Sequence, residues 1–75
     1  MIIKVVGEEV SITAANTVAN STLVRVLNTG ATAVLQVGTT GNVSITNTAA
    51  VIIEKRSTDT LQGTDMLAVP ISYKY

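Results

Sequence analysis

Ala49-Ala-Val-Ile-Ile-Glu-Lys-Arg56 and Met66-Leu-Ala-Val-Pro-Ile-Ser-Tyr-Lys-Tyr75 flank the polar segment Ser57-Thr-Asp-Thr-Leu-Gln-Gly-Thr-Asp65. Both flanking runs are apolar and rich in β-branched residues, which fit a pleated surface better than a helix. They are expected to be the closing pair of strands of an all-β domain, with Ser57 to Asp65 crossing over between them. Strand side chains alternate between faces. The alternation assigns Leu67, Val69, Ile71 and Tyr73 to the core, together with Val51 and Ile53. It assigns Met66, Ala68, Pro70 and Ser72 to the opposite face, beside Ile52. Pro70 has no N–H for a ladder, so the last strand is expected at a sheet edge.

The chain before this pair reads in the same way. Ile2 to Val6 is a strand turned by Gly7-Glu8-Glu9, and Val10 and Ile12 alternate with Ser11 and Thr13 in a second. Ala14 to Ser21 is polar and is expected to be a loop. Thr22 to Asn28 is a third strand in which Val24 and Val26 point inward, because a lone Arg seldom faces a dry core. Leu23 and Leu27 then flank Arg25 outside. Asn28-Thr29-Gly30 is a turn whose glycine suits positive φ. Ala31 to Val37 sets Ala33, Leu35 and Val37 against Thr32, Val34 and Gln36. After Gly38 to Gly41, Val43 and Ile45 are inward in a fifth strand. Turn residues recurring at this spacing predict one domain over residues 1–75, a small antiparallel β-sandwich or flattened barrel of about seven short strands.

Composition narrows the function. A 75-residue chain buries a modest share of its surface, so disulfides, a metal or association usually support it. Cys and His are both absent, which removes disulfides and the commonest zinc ligands. Association is the support left. Five basic and five acidic residues cancel, an argument against nucleic acid as a partner. No apolar run is long enough to form a membrane-spanning helix. The start of the chain lacks the basic-then-apolar order of a secretory leader, so synthesis in a cytoplasm is expected.

Catalysis is not expected. Without His or Cys there is no Ser–His–Asp triad or Cys–His pair. Ser57 and Lys55 offer only a formal dyad, and Lys55-Arg56 reads as a solvated strand end. Glu8 and Glu9 read as turn charges. Asp59 and Asp65 bracket an oxygen-rich loop, yet two carboxylates at this spacing match no calcium loop and read better as turn caps. No cofactor or metal is expected.

The remaining signal is a set of outward apolar residues: Leu23, Leu27, Val34, Ile52 and Met66. Arg25 lies among them, and Pro70 marks the expected edge. Val26 to Ile53 contains no charged residue. Aliphatic side chains around one Arg suit a partner interface, where Arg is enriched and Lys depleted.

Val51-Ile-Ile-Glu-Lys55, Thr58-Asp-Thr-Leu61 and Ala68-Val-Pro-Ile-Ser-Tyr73 resemble short virion structural proteins of tailed bacteriophages, the marine and cyanophage type especially. Val24-Arg-Val-Leu-Asn-Thr-Gly30 shows a similar strand–Asn–turn form, so the resemblance spans Thr22 to Tyr73. It implies a capsid decoration or cement protein that binds the coat lattice non-covalently in the virion. Its partners would be the major capsid protein or other virion proteins, in a high-copy or homo-oligomeric assembly. A tail, neck or fibre component is the alternative within that class. A carbohydrate-binding module is the alternative outside it, although such sites favour exposed aromatics and only Tyr73 and Tyr75 are present.

Overall fold

The computed structural model describes residues 2–74, with side chains as far as Ser72. The strands are β1 (Ile2–Val5), β2 (Val10–Ser11), β3 (Leu23–Asn28), β4 (Ala33–Val37), β5 (Gly41–Ile45), β6 (Ala50–Glu54), β7 (Leu61–Gln62) and β8 (Met66–Lys74). All pairings are antiparallel. A large sheet runs β1-β8-β3-β6, with β2 also on β8, and a small sheet runs β5-β4-β7. This is the expected all-β sandwich, with a short strand, β7, inside the segment read as a plain crossover. Leu61 is fully buried and draws that segment onto β4, where Leu61 pairs with Val37. The described residues contain no helix long and apolar enough to cross a membrane.

β8 is the axis of the large sheet. β3 covers one side of it from Met66 to Pro70, and β1 and β2 share the other side. The expectation that Pro70 marks an edge is therefore wrong, and the ladder shows how the proline is accommodated. Val6 N–H donates to Pro70 O at 3.0 Å, and Ile12 N–H donates to Met66 O at 3.1 Å. Alternation then turns the backbone groups of even-numbered β8 residues toward β1 and β2. The missing N–H of Pro70 falls opposite Val6, next to Gly7-Glu8-Glu9, where the ladder is interrupted between Val5↔Ile71 and Val10↔Ala68. A bulge relieves the sheet of the hydrogen bond that proline cannot make. Gly7 is needed there, since a Cβ would approach Pro70 Cγ to 2.6 Å.

The facing of β8 is also the reverse of the expectation. The register pairs Val24 with Pro70, Val26 with Ala68 and Asn28 with Met66. Directly opposed residues share a face, so Met66, Ala68 and Pro70 lie on the inner side with Val24 and Val26. All three are buried. Leu67, Val69 and Ile71 point away from the small sheet. The expectation for Tyr73 concerns a side chain outside the described residues. With Met66 and Ala68, the core comprises Ile12, Val18, Val24, Val26, Leu35, Ile45 and Leu61, flanked by half-buried Val51 and Ile53.

Asn28 is a fully buried polar member of the interior. Its Nδ2 donates to Ala31 O at 2.9 Å and Ile45 O at 2.8 Å, and its Oδ1 accepts from Gly30 N–H at 2.9 Å. It therefore closes its own turn and ties β3 to the end of β5 across the two sheets. Thr29 adds a second tie, donating through N–H and Oγ1 to Asp65 O at 2.9 and 2.7 Å. Gly30 does not take the positive φ expected of it; Gly38 does, at 64°. Gly30 serves close approach instead, because a Cβ would lie 2.7 Å from the Asp65 carboxylate.

The loop between β2 and β3 contains a left-handed turn. Val18, Ala19 and Asn20 have φ of 53°, 58° and 55°. Each non-glycine residue there costs about 1–2 kcal/mol. The turn places Val18 in the core and is joined to the small sheet through Asn16 N–H on Leu61 O at 3.0 Å and Leu61 N–H on Asn16 O at 2.8 Å.

Candidate docking face

The outer face of the large sheet follows from the register. Leu23, Arg25 and Leu27 project from β3, away from the small sheet. Ile52 stands opposite Arg25, with Glu54 opposite Leu23 and Ala50 opposite Leu27. On the β8 side, Val69 stands opposite Arg25 and Leu67 opposite Leu27. Beyond them, Val5 stands opposite Ile71, and Ile3 shares its face by alternation. Aliphatic side chains thus run across β1, β8, β3 and β6, with Arg25 at the centre and Glu54 at the β6 margin. Val69 and Ile71 are 7% and 4% exposed although neither belongs to the core cluster.

The sequence-derived site residues divide accordingly. Leu23, Arg25, Leu27 and Ile52 come together on this face. Val34 is exposed but stands on β4 of the small sheet, and its neighbours Ala33 and Leu35 are the ones that turn inward. Met66 is fully buried and Pro70 is buried against Gly7, so neither is available to a partner. The error in both cases is the inverted facing of β8. Leu67, Val69, Ile71, Ile3 and Val5 are the members that sequence reasoning did not place here. For the β8 members the signal was continuous apolar character, which marks a strand lined on both faces.

The titratable groups cluster elsewhere. An open depression of about 570 Å³ is lined by Thr22, Glu54, Lys55, Arg56 and Asp59. Lys55 is 7% exposed, so it is not the solvated strand end expected. Its Nζ donates to Arg56 O at 3.2 Å. Burial pushes its pKa down, and Asp59 partly offsets this. Asp59 caps the turn, accepting from Arg56 N–H and from the guanidinium at 3.3 Å. Those hydrogen bonds hold its carboxyl below the usual range. The depression carries two cations and two anions and presents no consistent charge to a ligand. Asp65 is committed to another turn, with φ of 54° and its carbonyl on Thr29. Among the described residues no three acidic side chains gather as metal ligands would.

No family model matches this chain, and no curated protein or solved structure shows significant similarity to it.

Proposed function

We propose that the protein is a structural component of a bacteriophage virion, a small decoration or cement protein that docks on a lattice of coat subunits. The observation that carries the reading is the outer face of the large sheet: aliphatic side chains around Arg25, with Ile3, Val5 and Ile52 exposed at its two margins, Leu23, Leu27 and Leu67 half-buried, and Val69 and Ile71 buried. A small domain of this kind has little else to contribute chemically. Its charges balance, and its other outward positions are largely Ser, Thr and Asn. The face supports recognition of an apolar protein surface with an acidic group opposite Arg25. The resemblance of Val51 to Lys55 and Ala68 to Tyr73 to short phage virion proteins supplies the setting. Repeated over many symmetric positions, a modest contact becomes a strong one through effective concentration.

Co-sedimentation with coat-protein shells tests this. Ile52→Asp and Arg25→Glu are expected to keep the circular-dichroism spectrum and melting behaviour of the parent while losing occupancy on the shells. Parental occupancy for both folded variants would refute the reading.

A further inference from the structure

β1 is the outermost strand of the large sheet, and all four of its residues are exposed. Ile2, Ile3, Val5 and the following Val6 are 63%, 40%, 62% and 52% exposed, which makes them four of the six exposed large hydrophobics among the described residues. The backbone is equally open. Val6 N–H donates to Pro70 O, so alternation points the polar groups of Val6, Lys4 and Ile2 at β8. Those of Ile3 and Val5 point outward. Edge strands are ordinarily protected by a charge, a proline or a bulge. Here the bulge begins only at Gly7, and the one charge is Lys4. Further, β3 stops pairing with β8 at Pro70. From Ile71 to Lys74, β8 is therefore paired with β1 alone. Such a two-stranded ribbon is marginal by itself.

We propose that this edge is a contact between copies of the chain: β1 of one copy pairs antiparallel with β1 of a second about a two-fold axis, extending the large sheet through both. A second copy fits because the edge is self-complementary, each side supplying the same outward N–H and C=O groups of Ile3 and Val5. Aliphatic side chains line both faces of the seam. The net charge is zero, so no long-range repulsion keeps copies apart. Pairing Ile3 with Val5 of the second copy does set Lys4 opposite Lys4, which weakens the contact. A four-residue strand covers far less than the roughly 800 Å² per partner of a standard interface. The contact is therefore weak between free molecules and gains strength where copies are already arrayed. It does not depend on what occupies the outer face.

Sedimentation velocity of the whole chain, from micromolar to millimolar concentration, tests the inference. The sedimentation coefficient is expected to rise toward that of a dimer. Val5→Pro removes an outward N–H and leaves the β8 ladder intact, so it is expected to weaken dimerisation at least about tenfold with the fold retained. Val5→Lys supplies the same block by charge and decides the matter if the proline variant does not fold. Lys4→Pro, whose N–H faces β8, is expected to lower the melting temperature instead. A monomer throughout the range would overturn the proposal. So would a dimer that both Val5 variants leave unchanged, because another face would then be occupied.

Discussion

Replacing Asn28 should do more damage than its single position suggests. The side chain is buried, and three hydrogen bonds join it to Ala31 O, Ile45 O and Gly30 N–H. In Asn28→Ala those groups lose their partners inside the protein. Each buried polar group left unpaired costs about 1–3 kcal/mol; the Ile45 bond is buried and the other two are part-buried, so a loss of about 2–4 kcal/mol is expected. A chain of this length has roughly 4–11 kcal/mol in total, so the variant should be near its folding limit. Asn28→Asp is the sharper probe because it keeps the shape. Its ionised carboxylate would face the carbonyls of Ala31 and Ile45, and both repulsion and burial would raise its folded pKa above the unfolded value. Below the unfolded pKa the acid is protonated in both states and can donate one of the two lost bonds. The added destabilisation thus appears as pH rises past the unfolded value, about 3.9. It grows until the folded pKa is reached. Urea denaturation followed by circular dichroism, at pH 7 and again near pH 4, measures both effects, with the parent protein at the same two pH values as the control. With a slope of about 1 kcal/mol/M for so small a protein, the alanine variant should move the midpoint by about 3 M or unfold it outright. A loss under about 1 kcal/mol for both variants, with no added pH dependence for Asn28→Asp, would refute the role given to this amide.

Ala19 is exposed at φ 58°, so Ala19→Gly is expected to stabilise the protein by up to about 1 kcal/mol, seen as a higher urea midpoint. Gly7→Ala should do the opposite: its Cβ would meet Pro70 Cγ at 2.6 Å, and a lower melting temperature is the expected readout. Asp59 is held below the usual carboxylate range chiefly by the Arg56 side chain. Its contribution to stability is present above the unfolded pKa and is lost as pH falls through the lower folded one. Arg56→Ala should return the Asp59 titration, followed by carboxyl NMR, toward the ordinary range. Lys55 behaves in the reverse sense. Its folded pKa is depressed by burial, so stability should rise with pH between that value and the unfolded one near 10.4. Lys55→Met should flatten that alkaline rise in a melting-temperature profile.

The extent of the fold legible in the sequence follows from what alternation can encode. β3 was readable because Arg25 breaks its symmetry: one charged side chain decides which valines face inward. β5 was readable because Asn42 and Ser44 alternate with Val43 and Ile45. β8 offers no such asymmetry. Met66, Ala68 and Pro70 are as apolar as Leu67, Val69 and Ile71, and only pairing with β3 settles which set meets the small sheet. The inverted facing carried Met66 and Pro70 into the expected interface and left Val69 and Ile71 out of it. Pro70 misled in a second way. The rule that proline avoids central strands assumes an uninterrupted ladder, and here a bulge from Gly7 to Glu9 begins beside the missing donor. That compensation spans more than sixty positions of the chain and has no local signature. β7 was hidden for a related reason: Leu61 is a single apolar residue in a polar run, and its value comes from the space beside Val37.

The same ambiguity in β8 bears on the contact surfaces. A sandwich strand needs one apolar face, and a polar outer face is the simplest route to solubility. β8 has two apolar faces, and β1 and β6 continue the outer one through Val5 and Ile52. Shielding within the sheet accounts for part of this, since Val69 and Ile71 are nearly covered while lying outside the core cluster. It does not account for Ile2, Val5 and Val6, each more than half exposed. Aliphatic exposure rises from the middle of the sheet to the β1 edge, where the backbone is also unpaired. Hydrophobic burial alone would have favoured polar residues at that edge, and resistance to association would have favoured charge. The edge has neither apart from Lys4. A surface that is apolar in its side chains and open in its backbone is satisfied only by another strand, whereas the centre around Arg25 is satisfied by any apolar surface with an acid to offer. The two contacts therefore differ in chemistry as well as position, and Arg25→Glu should separate them: it lies on β3, across β8 from the edge, so it should cost shell binding and leave pairing through β1 in place.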